Sequence, residues 1–308
     1  MTAIAAVAPS NRAWLVNALV TVVLWGVWGA FSGLSVQRGF PETLVYCVWA
    51  LTMIPPALVV LAQTGWRLDR SPRAIGYGLA IGLLGAGGQM VLFYAVARGP
   101  AYLIFPIISL SPIVTIALSF VLMRERTGRL GASGILRALR AWPTVDFAPG
   151  SGGGASAAWL VPALVVMLCW GVQAYFMKAA NHIMSAESIF VYMMLAGLML
   201  VPVAWAMTDF GKPINWGLDG PGLAALIQVL NAIGALTLVF AFRYGKAIIV
   251  APLANAGAPL ATALLSLVIL GVVPGPLKTV GILLALIASM LLAIEPDAQD
   301  EEAKLEAN

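Results

Sequence analysis

The sequence predicts an all-α integral membrane protein with ten transmembrane helices, arranged as two inverted five-helix repeats. Composition is the first observation: 61% of the residues are hydrophobic and 10% are charged, whereas a soluble domain is about half apolar and a quarter charged. The second is a series of uncharged runs of about 20 residues, the length of a helical span. The third is an internal repeat that relates the two halves of the chain.

Nine transmembrane helices are predicted directly by the uncharged runs. These lie at about 14–36, 43–63, 75–97, 101–123, 158–177, 187–207, 220–242, 247–270 and 279–294. Residues 1–13 resemble no cleavable signal and predict a cytoplasmic segment before a retained first helix. The Gly/Ser-rich stretch 147–157 predicts a linker between the repeats 14–146 and 158–294. The acidic stretch 295–308 predicts a cytoplasmic tail.

A tenth helix is predicted around 127–142, although Arg137 and Arg140 stand where the second copy has Leu284 and Ile287. A mid-span Arg costs about 2.5–3.5 kcal/mol on insertion scales. Ten spans nevertheless concentrate Lys and Arg on the cytoplasmic side more strongly than nine do, with both termini in the cytoplasm. The two arginines could contact neighbouring helices, extend toward an interface or be altered positions, and the sequence does not separate these alternatives.

The internal repeat extends over matched motifs in the two halves. Trp25-Gly26 recurs 145 positions later as Trp170-Gly171, and Thr115 recurs 147 positions later as Thr262. An odd number of spans in each copy would place the second copy upside down in the bilayer. Inverted repeats are typical of secondary transporters, which hold substrate near the midplane between the halves.

Several functional classes are disfavoured by the charged and metal-binding residues. All acidic residues lie in predicted loops, at helix ends or in the tail, so the sequence predicts neither a carboxylate that couples transport to protons nor the paired aspartates of a membrane enzyme. The net charge of +4 comes from basic residues in the connections, and we expect no nucleic-acid partner. His182, Cys47 and Cys169 predict no metal site. We expect no cofactor and no enzymatic activity.

Aromatic and amide side chains within the spans are the candidates for substrate binding, because buried amides need partners and face the protein interior or a wet cavity. The predicted set is Trp25, Trp28, Tyr46, Gln89, Tyr94, Trp170, Gln173, Tyr175, Gln228, Asn231 and Asn255. The tyrosines of this set are weaker candidates, as are Trp49 and Tyr192. For each amide, an interhelical hydrogen bond is an equal alternative to substrate binding. For each tryptophan, the equal alternative is packing in the protein core.

Prolines and glycines predict bends and close helix contacts. Matched prolines predict kinks in helices four and nine, at Pro106, Pro112, Pro252 and Pro259. Gly78, Gly82 and Gly85 form a small-residue stripe on helix three that permits close packing.

These features resemble the drug/metabolite transporter superfamily, EamA type, over residues 14–294. The resemblance rests on ten spans in two repeats, Trp-Gly early in helices one and six, proline near the start of helices four and nine, and Arg124-Glu125-Arg126 after helix four. The chain looks most similar to the YddG-type amino-acid exporters of bacterial inner membranes. That similarity implies export of aromatic and other neutral amino acids, or related metabolites, by alternating access.

The sequence therefore predicts a facilitative inner-membrane exporter whose partners are a small-molecule substrate and membrane lipid. A monomer is compatible with this prediction, and the sequence does not decide the oligomeric state. Two alternatives stay open. One is a drug or nucleotide-sugar carrier on the same scaffold, and the other is a structural or receptor-like membrane protein without transport activity.

Overall fold

The structure, a computed structural model, describes residues 13–111, 113–115, 117–118, 157–180, 183–244 and 247–271, with 276, 280, 283 and 287. Every regular element in these ranges is helical. By length and composition, six described segments could cross a membrane: Leu15–Gln37, Glu42–Gln63, Pro72–Val96, Leu160–Met177, Ala186–Ala206 and Leu218–Leu238. The prediction of a helical membrane protein is confirmed at this level. Arg137, Arg140, Pro112 and most of the 147–157 stretch lie outside the described residues.

Eleven α-helices are described. In the first half they are α1 (Ala13–Phe31), α2 (Leu34–Gln37), α3 (Glu42–Thr52), α4 (Ile54–Gln63), α5 (Pro72–Val96) and α6 (Ala101–Ile108). In the second half they are α7 (Leu160–Ala180), α8 (Ala186–Met199), α9 (Val201–Ala206), α10 (Leu223–Tyr244) and α11 (Ala247–Leu270). A 3-10 turn (Ala157–Trp159) precedes α7, and a π turn (Leu218–Gly222) precedes α10.

Prolines and serine caps explain several helix boundaries. The second span of each half is interrupted, at Met53 and at Leu200, because a proline in the first turn of α4 and of α9 lacks the N–H group that a continuous helix needs. α5 and α8 each begin at a serine cap: the Ser71 and Ser185 hydroxyls accept 3.2 Å hydrogen bonds from backbone N–H groups three residues on. The uncharged runs 43–63 and 187–207 predict both spans as continuous, so the two interruptions correct that prediction.

The second spans of the two halves pack against each other and run antiparallel. The Thr43 and Thr208 hydroxyls lie 2.7 Å apart, the Cys47 thiol lies 3.9 Å from the carbonyl of Val201, and the Tyr46 hydroxyl donates a 3.0 Å hydrogen bond to the carbonyl of Gly197. Residue numbers therefore rise along α3 as they fall along α9 and α8. These two spans occupy the same position in their respective halves.

The first span of each half packs against the third and fourth spans of the other half. α1 lies against α10 and α11, and α7 lies against α5 and α6. The Trp25 indole donates a hydrogen bond to the carbonyl of Asn231 (3.1 Å), and the Trp170 indole donates to that of Gly85 (3.4 Å). Trp25 and Trp170, the tryptophans of the two Trp-Gly motifs, therefore each donate to a backbone carbonyl of the other half.

Large apolar side chains remain exposed on the outer faces of these helices. Val23, Val161, Leu226 and Val268 are examples, each with more than half of its surface accessible. Exposed apolar surface of this kind is unfavourable in water and suits contact with lipid.

Candidate functional site

Three tryptophans of the first half donate hydrogen bonds to two amide residues of α10 at the interface between the halves, two of them to side chains and one to a backbone carbonyl. The Trp28 indole donates a 2.8 Å hydrogen bond to Oε1 of Gln228. The Trp49 indole donates a 2.8 Å hydrogen bond to Oδ1 of Asn231, and the Trp25 indole donates to the Asn231 carbonyl. We call these five residues the tryptophan–amide network.

Helical spacing and antiparallel packing bring the network together. Trp25 and Trp28 are three residues apart on α1, and Gln228 and Asn231 are three apart on α10, so each pair shares one helix face. Since α1 and α10 run antiparallel, Trp28 meets Gln228 while Trp25 meets Asn231. A glycine at 234 leaves room for the Trp25 ring, which a Cβ there would overlap.

Phe105 of α6 completes one wall of the network. Its ring packs edge-on against Trp28, with 5.9 Å between ring centroids. Neither Phe105 nor Gly234 was predicted from the sequence. The available signal for Gly234 was its repeat partner, Gly88, which packs against Trp170 in the corresponding place.

A second polar contact surface joins α7 to α5. The Gln173 side chain donates a 3.1 Å hydrogen bond from Nε2 to the carbonyl of Ile81, beside the Trp170 bond to Gly85. A Cβ at Gly88 would lie 2.6 Å from the Trp170 indole nitrogen, so only glycine allows this approach. The stripe formed by Gly78, Gly82 and Gly85 likewise packs against Tyr192, Ala196 and Gln173.

Two buried glutamines present hydrogen-bond donors without a partner. Gln228 is 0% exposed and Gln89 is 4% exposed, and Nε2 of each donates no hydrogen bond to any of the described residues. An unsatisfied buried donor costs about 1–3 kcal/mol. Groups left in this condition point to water, to a ligand or to another conformation in which they are satisfied.

The remaining predicted residues are more dispersed. Tyr46 is buried next to Trp49, with ring centroids 5.2 Å apart. Tyr94 is 42% exposed, and the Arg98 guanidinium lies 3.3 Å above its ring. Tyr175 packs against the ring of its neighbour Phe176. Asn255 lies in α11.

The predicted kink prolines also differ in how far their helices continue beyond them. α6 contains Pro106 and ends two residues later, whereas α11 is helical throughout Ala247–Leu270, including Pro252 and Pro259.

Charged side chains in the described part of the chain lie at the helix ends and loops rather than in the network. The Arg98 guanidinium is 3.0 Å from the Glu42 carboxylate. In the loop before α5, the Asp69 carboxylate accepts hydrogen bonds from the Ser185 N–H (2.8 Å) and hydroxyl (2.9 Å). These bonds, led by the backbone N–H, hold the pKa of Asp69 below its usual value. No cluster of three His, Cys, Asp or Glu that could hold a metal occurs within the described ranges.

The fold resembles that of a protein of known structure over nearly its whole length. One protein of known crystal structure is similar with a TM-score of 0.65 and 16% identity, over 91% of this chain and 98% of its own. That likeness concerns the fold alone. No curated protein matches the sequence. The sequence profile of the EamA-like transporter family matches residues 12–140 and 157–294. Because these two matches cover most of the chain, the protein belongs to the EamA-like transporter family, a family of membrane transporters and not of enzymes.

Proposed function

We propose that the protein is a bacterial inner-membrane exporter of aromatic and other neutral amino acids, working by alternating access. The observation that carries the proposal is the tryptophan–amide network between the two halves. Tryptophan faces suit the stacking of an aromatic side chain, and amides suit the polar ends of a zwitterion without adding charge. This is the substrate specificity of the YddG-type exporters that the sequence resembles.

The proposed transport mechanism assumes two inverted repeats of five spans each. The antiparallel packing of α3 against α8 and α9 supports inversion, because equivalent spans of an inverted repeat must run in opposite directions. The matching indole bonds of Trp25 and Trp170 support a two-fold relation. Rocking of the halves about the two-fold axis would expose the interface alternately to each side of the membrane.

Ten spans require the 147–157 linker to lie outside the cell, opposite both termini. The test is a single cysteine at Ser151 in a chain whose Cys47 and Cys169 are changed to Ala, probed in intact cells with a membrane-impermeant maleimide. Labelling without permeabilisation is expected with ten spans. Labelling only after permeabilisation would indicate nine.

The substrate proposal is tested by counterflow into proteoliposomes with a panel of amino acids. Aromatic and other neutral amino acids are expected to exchange, and acidic or basic ones are not. Trp170→Ala and Asn231→Ala should each impair exchange while the folded yield stays largely intact. If exchange falls only in proportion to thermal stability, the two residues serve packing.

Drugs and nucleotide sugars belong in the same panel, because they represent the alternative carriers on this scaffold. A phosphate-bearing substrate would need basic groups at its site, and the tryptophan–amide network contains none. Exchange of nucleotide sugars but not amino acids would overturn the proposal.

A further inference from the structure

We infer that Gln228 recognises a carboxylate or other hydrogen-bond acceptor of the substrate through its Nε2 amide, and that Trp28 sets the orientation of that amide. The inference rests on the proposed function and refines it. It names the part of the substrate that meets α10 and the direction in which hydrogen bonds run. The observation behind it is a fully buried amide with one end bonded and the other end unpaired.

The orientation of the Gln228 amide follows from its neighbour. An indole N–H can only donate a hydrogen bond, so the atom of Gln228 that lies 2.8 Å from the Trp28 nitrogen must be the oxygen. The reversed amide would set an NH2 group against an N–H group. Trp28 is itself held by the edge of Phe105, so the oxygen of Gln228 is occupied and its NH2 group points away from the indole.

An amide held in this way is selective. With its acceptor engaged, Gln228 offers the hydrogen atoms of Nε2, which fit a carboxylate or carbonyl oxygen and repel an ammonium group. The Oδ1 acceptor of Asn231 is similarly engaged, by the Trp49 indole. Both amides of α10 therefore use an oxygen to hold a tryptophan, and this arrangement favours acceptor groups of the substrate on that helix.

Burial makes the unpaired donor a strong source of discrimination. Gln228 is 0% exposed. A polar group shielded from water has its largest free-energy penalty when it lacks a hydrogen-bond partner, and its largest free-energy gain when a partner binds. A substrate that brings an acceptor removes this penalty, while one that lacks the acceptor leaves it in place. Sites built this way reject analogues without the matching group.

The test compares two pairs of probes: phenylalanine and phenethylamine differ only in the carboxylate, whereas indole-3-acetate carries a carboxylate in place of the ammonium group of tryptamine. Binding of phenylalanine and phenethylamine, and of indole-3-acetate and tryptamine, is measured by thermal shift of the purified full chain in detergent. The variants are Gln228→Met, Trp28→Phe and the double variant. The double variant is included because Gln228→Met alone leaves the Trp28 indole N–H without its acceptor. Asn17→Leu is the matched control, since the Asn17 amide bonds the carbonyl of Ala13 within α1, away from the network.

We expect the wild type and Asn17→Leu to bind the acid at least about tenfold more tightly than the amine, the scale of one hydrogen bond to a charged group. The ratio of the affinity for the carboxylate-bearing probe to that for the amine should fall toward one in Gln228→Met and in the double variant. In Trp28→Phe it should fall partway, because the amide can then rotate. The ratio is taken within each variant, so a general loss of stability does not change it.

The outcomes separate this inference from the proposed function. Preference for the amine in the wild type, or an unchanged ratio in Gln228→Met and the double variant, would overturn the inference even if amino acids are exchanged. Binding of indole-3-acetate through Gln228 without exchange of any amino acid would overturn the proposed function and support the inference. Binding of no probe would overturn both.

Discussion

Thr115 and Thr262 make the same hydrogen bond in opposite halves of the protein. The Thr262 hydroxyl donates to the carbonyl of Gly26 at 3.1 Å, and the Thr115 hydroxyl donates to the carbonyl of Gly171 at 2.8 Å. Each threonine lies three residues after a proline, and each glycine directly follows the tryptophan of a Trp-Gly motif. Reciprocal contacts of this kind are what the proposed two-fold relation between the halves predicts.

We predict that Thr115→Val and Thr262→Val destabilise the protein by similar amounts. Each change keeps the side-chain shape and removes one interhelical hydrogen bond, worth about 0.6 kcal/mol on average between membrane helices. Thr52→Val is the control, because the Thr52 hydroxyl bonds only within its own helix, to the carbonyl of Trp49. Unfolding in a denaturing detergent measures all three. A loss confined to one of the two matched threonines would argue against equivalent contacts.

The sequence predicted the elements better than their contacts. Helix positions follow from apolar runs and prolines, which are local, so most described spans coincide with the predicted ones. The partners of Trp28 and Trp49 could not be predicted, because they depend on the antiparallel placement of α10 beside α1 and α3. Tyr94 shows the converse: its helix was predicted, but its side chain meets Arg98 at the helix end instead of the network.

We predict opposite effects for two adjacent glycines of α5. A Cβ at Gly88 would press on the Trp170 indole, whereas a Cβ at Gly87 would meet nothing within 4 Å. Gly88→Ala should therefore lower the thermal stability and impair transport. Gly87→Ala should be neutral or stabilise by up to about 1 kcal/mol through helix propensity. Equal effects of the two changes on the melting temperature would show that α5 and α7 are not in close contact.

We predict a measurable coupling between Trp49 and Asn231. Their hydrogen bond links α3 to α10 at 2.8 Å. A double-mutant cycle with Trp49→Phe and Asn231→Leu should give an interaction energy of about 0.6–1.7 kcal/mol, the range between membrane helices. Unfolding free energies of the wild type, both single variants and the double variant supply the cycle. Strict additivity would mean that the two side chains do not interact in the folded protein.

We predict that Asp69 makes the protein less stable in acid. Its carboxylate is hydrogen-bonded by Ser185, which lowers its pKa below the usual value of 3.8 in the folded state. A carboxylate whose pKa is lowered by folding stabilises the protein at pH values above its unfolded-state pKa. This stabilisation is lost as the pH falls through its folded-state pKa. Asp69→Asn should therefore reduce the dependence of the melting temperature on pH below about pH 5. Identical pH profiles for wild type and variant would contradict this.

We predict transport that needs no proton gradient. The carboxylates in the described part of the chain lie in loops or in the first turns of helices, at Glu42, Asp69, Glu187, Asp209 and Asp219. Proton-coupled carriers usually hold a carboxylate within the membrane, where its protonation can be linked to substrate binding.

Counterflow of a neutral amino acid in proteoliposomes should therefore proceed at the same rate with and without a protonophore, and with either sign of pH gradient. Liposomes without protein give the background rate, and an ionophore-driven pH change reported by an internal dye confirms that the gradient was present. Exchange that disappears when the gradient is collapsed would require a titrating group in the pathway and would replace the facilitative mechanism with coupled transport.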